Sequence, residues 1–111
     1  MLHFTFYTNN FIPTRFAATT YGFIVLVRPT YSNDAGLLAH ELVHVGQFWK
    51  NPLFGLAYKF SATARLKYEA EAYREQLKYS PGKEELFATF LCTNYSLNIT
   101  REEALAALGV K

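Results

Sequence analysis

Residues 2–8 alternate, with Leu2, Phe4 and Phe6 on one side and His3, Thr5 and Tyr7 on the other. A period of two over an apolar-rich run predicts a half-buried strand. A second strand is predicted over residues 21–27, YGFIVLV, where β-branched and aromatic residues run together between Gly22 and the Arg28-Pro29 pair. Asn9 and Asn10 mark a turn, and Pro13 breaks whatever follows it. Two strands leave the sheet short, and residues 11–20 are where another has room.

From Ala35 the period becomes helical. Leu38, Leu42, Val45 and Trp49 form one apolar stripe, and Asp34 or Asn33 is a fitting N-cap after the loop of residues 29–34. Asn51-Pro52 stops this helix and can open another. Residues 53–80 are mostly helical in composition, with an interruption at residues 61–63, and Pro81-Gly82 ends them. Residues 83–92 predict a third helix and residues 101–108 a fourth, whose Thr100 and Glu103 have the spacing of a capping box. The expected fold is α+β: a small antiparallel or mixed sheet beside one long helix, then about three further helices.

Composition narrows the class. The 111 residues are half apolar, with ten Phe and eight Tyr, enough for a packed core without disulfides, and one domain is expected. The formal charge is only +2 and the basic residues are scattered, which argues against nucleic acid as a ligand. Cys92 is the only cysteine and reads as a small buried hydrophobe. No basic region leads into an apolar run near Met1, and residues 23–27 are too short to cross a bilayer, so a soluble cytoplasmic protein is expected.

The chemistry lies in His40-Glu41-Leu42-Val43-His44, an H-E-x-x-H sequence inside the first predicted helix. Spacing of four puts both imidazoles on one helix face, one turn apart, where two nitrogens can meet one Zn²⁺. Glu41 sits beside them and can reach a water rather than the metal. His3 has no such context and reads as structural.

A catalytic zinc site usually has three protein ligands and an open fourth position. The extended motif H-E-x-x-H-x-x-G-x-x-H is absent, because Gln47 and Lys50 stand where Gly and His are required. Asp34, the only aspartate, precedes the motif, and Cys92 lacks a supporting context. A downstream glutamate is left. Glu71 and Glu75 share a polar face with Lys67 and Lys78, as on a solvated helix surface. Glu69 instead falls in the stripe of Leu66, Tyr73 and Leu77, where an inward carboxylate is costly unless compensated. Zinc would compensate it, and a salt bridge to Arg65 is the plainer alternative. Glu69 is the expected third ligand and Glu71 the runner-up.

These segments also carry a resemblance. HELVHVGQ, followed about 25 residues later by YEAEAY, resembles the gluzincin metallopeptidases, whose third ligand is a Glu on a later helix. The E-x-x-A of Glu69 to Ala72 is similar to the glutamate helix of membrane peptidases of the CAAX-prenyl-protease type. There the pattern continues to an Asp, where this chain has Tyr73, so that family's carboxylate support for a histidine is missing at this position. The short soluble relatives called minigluzincins fit the length best. The resemblance covers mainly residues 21–76. It implies a small sheet whose edge strand runs along the cleft, and blocked forms with a terminal segment over that cleft.

The expected activity is hydrolysis of a peptide or protein substrate, with zinc activating a water and Glu41 as general base. Tyr73, Tyr95 and Arg74 are candidate donors to the developing oxyanion. The strand of Phe23, Ile24, Val25, Leu26 and Val27 is the candidate rim for an extended peptide. Two other classes stay open. One is a latent or inactive protein that keeps zinc for structure, with residues 94–111 as a lid. The other is an assembly module, such as a phage or secretion-particle component, in which the motif is incidental. The oligomeric state is left open.

Overall fold

Gly22, at φ +63°, lets the chain reverse within two residues, and the strands on either side of it pair antiparallel. These are β2 (Ala18–Tyr21) and β3 (Ile24–Val27). An earlier strand, β1 (Phe4–Tyr7), pairs parallel to β3 on its other side, giving a three-stranded mixed sheet in the order β1-β3-β2. The computed structural model describes residues 1–110 and continues past a single turn of 3-10 helix into five α-helices, an α+β fold.

Two sequence expectations change here. β3 is the central strand, hydrogen-bonded on both sides, so Ile24, Val25, Leu26 and Val27 cannot offer a free edge to a peptide. Phe23 lies in the turn before it, packed against Phe4, Phe48 and Trp49. The free edge along the helices belongs to β2, which lies mostly in residues 11–20, where another strand has room, and takes Tyr21 from the predicted second strand. The alternation in β1 does not sort buried from exposed: Phe4, Phe6 and Tyr7 are each about half exposed. The covering helix packs mainly on β2 and β3.

Helix α1 (Ala35–Lys50) starts where Asp34 accepts the Leu37 amide, as the sequence predicts. Its Leu38, Leu42 and Val45 close over Ala18, Val25 and Val27 of the sheet. After α2 (Phe54–Phe60), Ser61 ends that helix and caps α3 (Ala62–Tyr79), which is the expected interruption. Helices α4 (Glu84–Asn94) and α5 (Arg101–Ala107) pack with α3 around Tyr73, Phe87, Leu91 and Leu108, and α5 opens with the Thr100/Glu103 capping box. Among the described residues no helix is long and apolar enough to cross a membrane.

α1 and α3 run antiparallel and in close contact. A Cβ on Gly36 would stand 3.0 Å from the Ser80 hydroxyl and 3.2 Å from the Tyr79 Cβ, so glycine lets the two ends approach. One turn on, His40 meets Gln76; further along, His44 meets Glu69 and Gln47 meets Tyr68. Of the six buried positions on α1, four carry His40, Glu41, His44 and Gln47. The inward face of this helix is therefore mainly polar, and its chemistry is held between α1 and α3.

Candidate metal centre

Helical spacing sets the His40 and His44 rings edge-on to each other with centroids 5.0 Å apart. Both Nε2 atoms point at one atom, Oε1 of Glu69, at 3.2 Å each. The three candidate ligand atoms lie within 4.8 Å of one another and all three residues are buried. Two imidazole nitrogens and one carboxylate oxygen make a donor set that could hold a metal ion. Glu69 is thus brought to the histidines, as its helical position predicts. Arg65 does not pair with it; its guanidinium donates to the carbonyls of Tyr58, Lys59, Tyr95 and Ser96.

Without a metal the centre balances its own charge. Burial alone would lower the His44 pKa, but the Glu69 charge and hydrogen bond, with the Glu41 charge, outweigh it and raise it to about 9. Burial opposes ionisation of Glu69, yet the His44 and His40 contacts hold its carboxyl well below the usual carboxylate range.

Both ring Nδ1 atoms are also engaged. His40 Nδ1 lies 3.0 Å from Gln76 Oε1, and His44 Nδ1 lies 2.8 Å from Gln47 Oε1. Gln47 Nε2 donates to the Tyr68 carbonyl at 3.0 Å and to Glu71 Oε1 at 2.7 Å. Glu71, the runner-up ligand, is thereby placed behind the histidine rather than on the metal side. The carboxylate absent at position 73 is replaced by an amide one turn later, at Gln76. Tyr73 instead sets its ring edge-on to His40, 4.4 Å between centroids.

Glu41 is buried beside this group, with Oε2 3.9 Å from His40 Nε2. Its Oε1 accepts the hydroxyl of Thr20 on β2 at 2.9 Å. The edge strand and the carboxylate are therefore tied together.

Three tyrosines complete the surroundings. The Tyr58 hydroxyl donates to Glu69 Oε2 at 2.6 Å, a residue that the sequence offered no spacing or motif to find. Tyr73 and Tyr95 share a hydroxyl–hydroxyl bond of 2.7 Å. Burial, followed by the Glu69 charge, pushes the Tyr58 and Tyr95 phenols far above their ordinary range; burial also raises that of Tyr73. All three remain proton-bearing donors. Arg74 does not join them: one residue along the helix from Tyr73 it points outward and donates to the Ala107 carbonyl at 2.8 Å, fastening α3 to α5.

Two cavities, about 390 and 490 Å³, flank the centre along α1 and β2. His40, Glu41, Phe16, Ala18 and Tyr95 line both. The larger one continues past His44 and Glu69 to Tyr21, Phe48 and Phe54. The Phe16 and Tyr95 rings, 5.6 Å apart, stand between the two cavities. Of the expected lid segment, residues 94–111, Asn94 and Tyr95 line the cavities; no described residue after Tyr95 does, and Leu97, Ala104 and Leu108 belong to the helical core. Lys111 lies outside the described residues.

Compared with known protein families, characterised proteins and solved structures, the chain shows no significant match to any of them.

Proposed function

We propose that the chain is a zinc-dependent peptidase of the gluzincin type, with His40, His44 and Glu69 as ligands and Glu41 as general base. The observation that carries this reading is the meeting of two imidazole nitrogens at one carboxylate oxygen, with a second carboxylate alongside. A His₂Glu set suits zinc among the common metals. Bound there, zinc would supply Lewis acidity to a water and to the scissile carbonyl.

The remaining work falls to the chain. Thr20 holds one Glu41 oxygen, which leaves Oε2 on the side of the histidines to take a proton from the attacking water and return it to the leaving amine. The free edge of β2 can pair with an extended peptide, whose side chains would enter the two cavities. The Tyr95 hydroxyl, at the border of both cavities, is the preferred donor to the oxyanion.

Elemental analysis of wild type beside Glu69→Ala and Glu71→Ala tests the ligand set. One zinc per chain, lost with Glu69→Ala and retained with Glu71→Ala, is expected. Glu41→Gln should retain zinc while hydrolysis of an unfolded protein falls about 10²–10⁴-fold, the usual share of general-base catalysis. Wild type without zinc after zinc is supplied would remove the peptidase reading and favour an assembly module. A second reading, zinc as a structural staple in a closed protein, draws on the burial of all four residues and on Phe16 standing in the cleft.

A further inference from the structure

A neutral imidazole carries one ring proton, and a metal takes the nitrogen that lacks it. What faces Nδ1 decides which nitrogen that is: an acceptor there keeps the proton on Nδ1 and frees Nε2. At His44 the facing group is the Gln47 side-chain amide, which could present either its oxygen or its NH₂ end. Three contacts determine the end. The NH₂ group reaches the Tyr68 carbonyl and the Glu71 carboxylate, and both of these only accept hydrogen bonds. The oxygen must therefore face His44 Nδ1, at 2.8 Å.

We infer that Gln47 is a positioning residue that holds His44 as an Nε2 donor, and that Glu71 acts on the metal centre only through Gln47. The chain of bonds runs from a charged acceptor, Glu71, through a neutral amide to the imidazole. It delivers the orienting effect of a carboxylate without burying a further negative charge against the ring. Gln47 sits one turn after His44 on α1 and is buried, so the contact spans the shortest path the helix allows. Gln76 makes the matching contact with His40, but no further bond among the described residues orients its amide. The inference rests on the proposed zinc site, and its test separates the two.

The test is zinc affinity, measured by competition with a chromophoric chelator, for wild type, Gln47→Met, Glu71→Ala and the double variant, each shown to be folded without metal by circular dichroism. Gln47→Met should bind zinc about 10–100-fold more weakly, the usual cost of losing such a partner. Glu71→Ala should lose less, and adding it to Gln47→Met should cost nothing more, because its route to the metal is already cut. Combining Gln47→Glu with Glu71→Gln keeps an acceptor toward His44 and a donor behind it. That pair should recover most of the lost affinity, and it serves if Gln47→Met does not fold. In zinc-loaded wild type the His44 Nδ1–H should give a slowly exchanging NMR signal that Gln47→Met loses. Wild-type affinity in Gln47→Met, or losses at 47 and 71 that multiply, would overturn the inference while leaving the zinc site intact. Wild type that binds no zinc would remove both.

Discussion

Glu69 divides its two oxygens between different tasks. Oε1 faces both histidines, whereas Oε2 accepts the Tyr58 hydroxyl. Tyr58→Phe takes that donor away from a buried carboxylate, and hydrogen bonds to charged groups contribute about 1.5–3 kcal/mol. The expected variant is folded, less stable by about that amount in urea, and a weaker zinc binder; unchanged affinity would place Tyr58 outside the centre. Tyr95→Phe separates from it. Its hydroxyl touches Tyr73 and no ligand, so zinc should bind normally while hydrolysis falls about 10²–10³-fold, the cost of one oxyanion donor. If zinc affinity falls instead, Tyr95 supports the site and does not serve as the donor. Single residues were unevenly legible in the sequence. His40, Glu41 and His44 follow from spacing within one helix, and Glu69 from an inward position within another. Tyr58 and Gln76 act through contacts between side chains brought together by folding; Gln47 lies within one helical turn of His44, but an amide or phenol has no signature spacing that marks it as a partner. Tyr73 and Arg74 are sequence neighbours that a helix turns about 100° apart, which puts the Tyr73 ring beside His40 and the Arg74 guanidinium against the end of α5.

At the scale of elements, the segment between β1 and β2 lines the two cavities with Pro13, Arg15 and Phe16. Arg28 fastens it: Nε donates to the Phe16 carbonyl at 2.8 Å, and Nη2 reaches the Ile12 and Pro13 carbonyls at 3.2 Å each. Tyr21 adds a bond to the Phe11 carbonyl. Phe16 is thereby held against Tyr95 between the two cavities, which on the proposed reading is where an extended chain paired with β2 would pass. Phe16→Ala keeps every backbone bond of this segment and removes only the ring. The expected outcome is a zinc content equal to wild type with faster cleavage of an unfolded protein. Equal or slower cleavage would show that Phe16 forms part of the binding surface. This arrangement was not legible in the sequence for two physical reasons. β2 is four residues of Ala, Thr, Thr and Tyr, too short and too weakly apolar to stand out, and its pairing with β3 depends on the Gly22 turn. Once β2 is counted, β3 becomes central and the rim passes from one strand to the other. The long helices were legible because their stripes and caps repeat over many residues.

For the whole molecule, the candidate ligands join two bodies of packing that otherwise have separate cores. His40 and His44 stand on α1, whose apolar side belongs to the sheet cluster, while Glu69 stands on α3, whose Tyr73 belongs to the helical cluster. A metal bound by all three would tie those clusters together in the folded state and find no such site in the unfolded chain. Binding to the folded form alone stabilises by about 2.7 kcal/mol when free ligand is a hundredfold above Kd. With an unfolding entropy of about 2 cal/mol/K per residue, that corresponds to a rise in Tm of roughly 10 °C for a chain of this length. Calorimetric melting with and without zinc should show that rise in wild type, its reversal by a chelator, and almost none of it in Glu69→Ala. Glu41→Gln should retain the full rise, because Glu41 is beside the metal position without being a ligand. A rise that survives in Glu69→Ala would mean that zinc stabilises the protein from some other place, and the link between the two cores would have to be sought in the α1–α3 packing alone.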